Sequence, residues 1–330
     1  MRLLCSLDQR FVKIREETRM GQEMGVTLAG MKLPHPIGIA AGMIKTLSDV
    51  REAAEKSVAS FIAVGSITRE PRALPTGTTY YPSYSSGYFS LNSRNLVNDG
   101  ISVFLKDVIE MVRIAHEYEK KIFVSIAGSS PADYAVMVAM LAECGFDMIT
   151  LNFGCSNRID GGKQQPIPSY EPRMIREILA RVRDIKVIRS SVRSLPPLAV
   201  KLSPLDPFRL AEVAEEIVAS GIINAVVTCN TWGNAFAFAF NRQGERVPAI
   251  TPNRGLAGLG SKALFPIMLG QVVQFRDLLP EHIDIIAVGG IDNHEDVADA
   301  LRAGATAVKV GTNYFEYGPE KVPCDMLLND

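Results

Sequence analysis

Residues 148–157, MITLNFGCSN, begin as an apolar run and end in two amides and a thiol: Asn152, Cys155 and Asn157. A thiol, with a reference pKa of about 8.5, takes a proton only as thiolate, so Cys155 is a candidate base that nearby cations would activate. An amide offers a donor and an acceptor on one side chain, as needed to hold a flat ring edged with carbonyls and N–H groups. Other apolar runs also end in polar residues. Lys45 follows PIGIAAG (36–42), Ser66 and Thr68 end FIAVGSIT (61–68), and Lys201 ends LAVKLSP (198–204). Thr228, Asn230 and Thr231 close AVVTCNT (225–231), and Asn92 stands in the long segment after the second run. Gly289-Gly290 closes IDIIAVGG (283–290), and Gly311-Thr312 closes AVKVGT (307–312). Bare backbone N–H groups at such places form an anion cradle. A third glycine set, Gly255, Gly258 and Gly260, would let backbone approach the same ligand. Taken singly, each residue has a plain reading: a small core thiol, a turn-capping amide, a rim charge. Two lysines and four amides at the ends of successive runs are harder to explain as capping.

The elements that must position them follow from pattern. KIFVSIAG (121–128) completes eight apolar runs, most of them continuous rather than alternating, as for parallel strands covered on both faces. Helical periodicity fills 101–118, 132–143, 171–188, 208–219, 262–278 and 294–302. Strand–helix alternation of this kind predicts a (β/α)₈ TIM barrel, with a doubly wound open sheet as the other pattern-compatible fold. In such barrels chemistry gathers at the C-terminal strand ends, and phosphate at strands seven and eight. GVTLAGMKLP (25–34) predicts a β-hairpin turning near Gly30 that plugs the barrel floor. The whole chain, 1–330, is expected as one domain: an extension over 1–24, the hairpin, the barrel over 36–312 and a tail over 313–330 whose last helix is short or absent. Two connections, 69–100 and 232–260, exceed ordinary loop length and are expected over the C-terminal face. In the second, AFAFAF (235–240) alternates like a strand with Phe236, Phe238 and Phe240 on one face, either packed on the barrel top or making a dimer contact. Trp232, the only tryptophan, either walls the pocket beside Asn230 or serves packing alone.

Composition excludes several classes. A net charge of −1 gives no basic excess for a nucleic-acid surface. Neither a signal segment nor an apolar run of about 20 residues is present, so a cytoplasmic protein with no membrane segment is expected. Five widely spaced cysteines and four histidines without ligand spacing point to reduced thiols and no metal.

Eight motifs then fall in one family's order. GIAAGMIKT is similar to the first-strand A-A-G-x-x-K of dihydroorotate dehydrogenases, and GSITREPRALP to the segment after their second strand. LNSRNLVNDG resembles their N-S-M-G-L-x-N-x-G loop, and LNFGCSN their L-N-x-S-C-P-N. VKLSP, NTWGN, GLAGLGSKALFP and VGGIDNHEDVADALRAGATAVKVGT complete a likeness from about residue 25 to 320. The resemblance implies an FMN enzyme that oxidises dihydroorotate to orotate in pyrimidine biosynthesis, with a homodimer and an electron acceptor that no motif names. It implies Cys155 as catalytic base. It puts Lys45, Asn92, Arg94, Asn95, Leu96, Asn152, Asn157, Asn230 and Thr231 around the pyrimidine ring and its carboxylate. For the cofactor it implies Ala41, Gly42, Ser66 and Asn152 along the flavin ring, Lys201 at the flavin N1–C2=O edge, Gly258, Gly289, Gly290, Gly311 and Thr312 at the phosphate, and Lys45, Asn92 and Thr228 as further cofactor contacts. Cys155 places the chain with the soluble, cysteine-using branch.

The chain departs from the family pattern at several positions. Ser156 stands for Pro and Gly154 for Ser. Arg94-Asn95 replaces Met-Gly: Asn95 tolerates positive φ, and Arg94 is expected to point to solvent rather than to the substrate carboxylate. Val64 stands where the soluble branch often has Lys, and Lys45 serves instead. These departures keep open an FMN enzyme of the same fold acting on another dihydropyrimidine or C=C bond. Alternatives of other classes are a flavin-free phosphate-binding lyase or aldolase using Lys201 or Lys45, and a silent ligand-binding relative.

Overall fold

The structure, a computed structural model, describes residues 25–73, 77–80, 88–156, 159–160, 163–189, 195–251 and 253–319. Asn157, the 1–24 extension, Cys5, Cys324 and most of the tail lie outside them. Eight parallel strands close into a barrel in sequential order: β1 (Ile37–Ile44), β2 (Phe61–Ile67), β3 (Lys121–Ile126), β4 (Met148–Asn152), β5 (Leu198–Leu202), β6 (Ala225–Thr228), β7 (Asp284–Val288) and β8 (Ala307–Val310). Helices cross between successive strands, so the fold is the (β/α)₈ barrel rather than an open sheet.

Period-two alternation survives although both faces are apolar. Ile39, Ile62, Val124, Ile149, Val200, Val226, Ile285 and Val308 belong to the layer packed against helices. Ala40, Phe61, Ala63, Phe123, Met148, Ala199, Val227, Ile286 and Ala307 fill the interior. Antiparallel strands Val26–Leu28 and Met31–Leu33 form the hairpin, and its Leu28 and Leu33 join that interior cluster. Gly38 on β1 is glycine for a steric reason: a Cβ there would stand 2.2 Å from the Phe61 ring. Phe61 and Phe123, from the neighbouring strands β2 and β3, stack at 4.8 Å between centroids in the barrel interior.

Local sequence fixes the turns at the strands' C-terminal ends. Thr46 with Asp49, Ser130 with Asp133 and Asn293 with Asp296 form capping boxes right after β1, β3 and β7. Each satisfies orphan N–H groups of the next helix and sets where the chain leaves the barrel.

The two long connections meet. Thr79–Tyr80, Ser90–Asn92, Ala257–Gly260 and Trp232–Ala235 form one antiparallel sheet above the mouth, with Gly258 opposite Asn92. Three expectations need correction. The 101–118 helix is two helices, Ile101–Phe104 and Val108–Glu117. The 262–278 helix opens as a 3₁₀ turn, and its α-helix starts at Phe265, just before Pro266. AFAFAF is not one strand: its start ends Trp232–Ala235, and Phe238–Phe240 pairs with Arg246–Pro248 in a separate hairpin. The Phe236, Phe238 and Phe240 side chains are 44%, 47% and 72% exposed, and the first two meet edge to face at 4.9 Å. No helix of the described residues is long and apolar enough to cross a membrane.

Candidate active site

One cavity opens at the C-terminal end of the barrel, beneath the antiparallel sheet. Its wall brings together residues far apart in the chain: Lys45, Asn92, Asn152, Cys155, Lys201, Asn230, Thr231, Gly289, Gly290, Gly311 and Thr312. Ala41, Gly42, Ser66, Arg94, Asn95 and Leu96 line it too. Gly258 and Thr228 stand behind that wall. A Cβ at Gly258 would meet Thr231 Oγ1 at 2.3 Å, so this glycine lets the covering sheet close on strand six. Thr228 is fully buried, with its hydroxyl beside the Cys229 thiol.

The amides orient one another. Asn152 ends β4, where its Nδ2 donates to Ser66 Oγ at 2.8 Å and its Oδ1 accepts from Asn230 Nδ2 and Gly154 N, both at 3.2 Å. Ser66 in turn shares a 2.7 Å bond with Ser125. Asn230 Oδ1 accepts from Thr231 N at 2.9 Å. Asn92 Nδ2 reaches Gly258 O at 3.5 Å, a marginal contact. Such a chain fixes which amide edge faces the cavity before any ligand arrives.

Charge at the site is positive. Lys45 Nζ donates to Val97 O at 3.0 Å, and Asp49 holds its backbone N–H at 2.9 Å. Burial pushes the Lys45 pKa down, and the Arg94 guanidinium pushes it further; Asp49 and Cys155 oppose them. Arg94 does not turn to solvent: it stacks on the Phe315 ring at 4.3 Å and lines the cavity. The aromatic face seats the guanidinium there, and Phe315 comes from the segment after β8, far from Arg94 in the chain. Asn95 takes φ +54, and its Oδ1 is buried without a partner. Lys201 is deep in the barrel with part of its surface toward the cavity; burial lowers its pKa, while Cys229 and Cys155 raise it. Burial pushes the Cys229 thiol up to about 12, against the pull of Lys201. Cys229 is therefore a neutral thiol, whereas Cys155 sits half-exposed on the wall within electrostatic reach of both Lys45 and Lys201.

The glycine end of the cavity is built by close approach. Gly289 and Gly290 have φ +140 and +73, and a Cβ on Gly290 would lie 2.7 Å from Ser261 O. Only a bare backbone admits the 261–265 segment there. Lys262 pairs with Asp296 beside it.

Sequence reasoning missed Ser90, Ser261, Lys262, Asn313, Phe315 and above all Lys309, all on the wall. Lys309 had a signal: it is a charge in an apolar run, in inward phase with Ala307. Val64 is buried in the helix-facing layer, off the cavity wall that Lys45 lines.

A family model described as dihydroorotate dehydrogenase matches residues 23–324. The catalytic subunit of an NAD(+)-type dihydroorotate dehydrogenase from Alkaliphilus oremlandii is 32% identical over 296 residues, covering 89% of this chain and 88% of the relative. The fumarate-type dihydroorotate dehydrogenase of Lactococcus lactis subsp. cremoris is 29% identical over 300 residues, covering 90% and 89%. A crystal structure of the Eimeria tenella enzyme in complex with ferulenol superposes with a TM-score of 0.74 at 20% identity, covering 93% of this chain and 83% of that one. This last likeness concerns the fold.

Proposed function

Because the chain belongs to the dihydroorotate dehydrogenase family, we propose that this cavity oxidises dihydroorotate to orotate with FMN as the resident cofactor. The enzyme is an oxidoreductase acting on a CH–CH bond. The observation that carries the reading is convergence: one thiol, a bonded set of amides and several lysines share one wall with Gly289, Gly290, Gly311 and Thr312.

The residues fit FMN. Gly289, Gly290, Gly311 and Thr312 would hold its phosphate on backbone N–H groups. Ala41, Gly42, Ser66 and Asn152 would line its ring, and Lys201 would sit at the ring's pyrimidine edge. When bound, FMN supplies a hydride acceptor. The chain's own groups do the rest. Asn92, Asn152, Asn230 and Thr231 present donors and acceptors to the substrate ring. Lys45 and Arg94 supply cations for its carboxylate, and the buried Asn95 amide oxygen awaits an N–H. Cys155, as thiolate, takes the proton from the carbon next to the one that loses hydride; the electron pair of that C–H bond becomes the new C=C bond. Lys45 and Lys201 favour the thiolate by charge.

The same reading includes a reducing, cytoplasmic setting, supported by Cys144, Cys155 and Cys229, which form no disulfide among the described residues. It includes a homodimer, supported by the exposed Trp232, Phe236, Phe238 and Phe240. It also includes an external electron acceptor.

The test is anaerobic titration of purified protein. We expect yellow protein that releases FMN on denaturation and bleaches with dihydroorotate. Colourless protein that cannot be reconstituted overturns the FMN reading, and bleaching only by a different dihydropyrimidine overturns the substrate.

A further inference from the structure

The barrel strands carry few ionisable side chains: Lys121, Lys201, Asp284 and Lys309. Three have engaged roles. Lys121 pairs with Asp147 at 2.9 Å. Asp284 accepts from Ala29 N and from Thr306 Oγ1 at the floor end of β7. Lys201 belongs to the site just described. Lys309 is unexplained, since the reaction above does not use it.

Its surroundings are unusual for an amine. Lys309 is 4% exposed, yet it lines the same cavity as Lys201. It projects inward from β8, at the register of Gly38 on β1 and Val288 on β7. Its Nζ lies 5.8 Å from the Phe61 ring centroid and 5.2 Å from that of Phe123, over the stacked pair in the barrel interior. The void above Gly38 that admits Phe61 thus also sets this platform. The interior cluster to which those two rings belong draws Ala40, Phe61, Ala63, Phe123, Val227, Ile286 and Val288 from β1, β2, β3, β6 and β7, none ionisable, and Gly38 is the register partner of Lys309 on β1. The charge that acts on it is Lys201 of β5, with the Cys155 and Cys229 thiols on the Lys201 side. No carboxylate among the described residues forms an ion pair with Lys309 within 4.0 Å.

We propose that Lys309 is a proton store under the cofactor seat: neutral while the ring bound above is neutral, protonated when that ring carries negative charge. The inference rests on reading the cavity as an FMN site. A buried amine facing a second lysine resists charging, and aromatic faces repay only part of that cost. Consistent with this, burial and then Lys201 push the Lys309 pKa down to about 7. Negative charge arriving nearby reverses the second effect and raises the value. Above pH ~7 the amine then gains one proton from solvent for each electron pair delivered, and below that pH it already holds it. Electrons come from the dihydropyrimidine, whose own proton goes to Cys155; the proton on Lys309 is separate and comes through the cavity mouth. The proton would compensate charge in a space with no carboxylate counter-ion, and would make two-electron uptake easier as pH falls from ~9 to ~7.

The experiment is electrochemical reduction of the FMN-loaded protein at several pH values, counting protons taken up per electron pair, for wild type, Lys309→Met and Lys309→Gln. The wild type should take up more protons than either variant, by about half a proton at pH ~7 and approaching one at pH ~8 to ~9. Its reduction equilibrium should therefore change about tenfold more per pH unit. Below pH ~6 the three should coincide. The variants keep Lys201, Cys155 and the glycine cradle, so FMN binding reports on the site independently of turnover. FMN bound normally with the same proton count in all three proteins overturns the role of Lys309 and leaves the FMN reading standing. Failure of the wild type to bind FMN overturns both. If Lys309→Met does not fold, Lys309→Gln, which keeps length and a polar end, decides.

Discussion

At the scale of single residues, the sulfur of Cys155 and the amides around it carry the chemistry. Cys155→Ala removes the proton acceptor without touching the ring's seat. The visible flavin spectrum should therefore persist while stopped-flow bleaching by dihydroorotate slows by roughly 10²–10⁴, the span of general-base catalysis. Bleaching at the wild-type rate would remove Cys155 from the mechanism. In wild type the bleaching rate should rise with pH, because the thiolate fraction does. Arg94 shows what chemical type alone leaves undecided. Its guanidinium has a choice between water and the cavity, and the Phe315 face, arriving from beyond β8, makes the cavity side the occupied one. Arg94→Met should then raise KM for a carboxylate substrate more than it lowers kcat, as steady-state kinetics can separate.

At the scale of elements, three turns after the strands carry local signals: Thr46, Ser130 and Asn293 each cap the helix that follows, with an aspartate three residues on, although the periodicity of 47–56 by itself did not mark a helix there. The interior was less legible. Strands buried on both faces hide their phase, so nothing in the string marked Gly38 as the partner of Phe61, twenty-three residues later. Gly38→Ala should destabilise the barrel by about 1–3 kcal/mol, as overpacking does. Thermal unfolding would measure it, and Phe61→Leu in the same chain should restore part of the loss by freeing the ring's volume. Full stability in Gly38→Ala alone would mean that the Phe61 ring moves aside at no cost. The long connections were recognisable as functional by length, but their pairing into one sheet was not. Asn92 meets Gly258 across 166 positions through backbone bonds that no side-chain pattern announces.

At the scale of the whole molecule, the aromatic side chains above the mouth bear on assembly. Trp232 on the covering sheet, Phe238 and Phe240 on the hairpin after it and Phe236 between them expose apolar surface, with Arg246 over two of the rings. If this face makes the homodimer, Phe240→Glu should shift the protein toward monomer in light scattering without altering FMN content, because Phe240 is not on the cavity wall. A dimer unchanged in Phe240→Glu places the interface elsewhere. The sequence by itself determined the eightfold strand–helix alternation, which narrows the fold to a closed barrel or a doubly wound open sheet. It also determined the identity of the residues at the strand ends, since chemistry such as a thiol between amides is written in residue type. Only the tertiary structure decided which of those groups face one another. Closure of the barrel turns period-two alternation into an inside and an outside. That assignment sends Val64 toward the helices and Lys309 inward beside Lys201. A linear sequence holds the alternation but not its phase relative to a common axis, and phase is what separates a core position from a catalytic one.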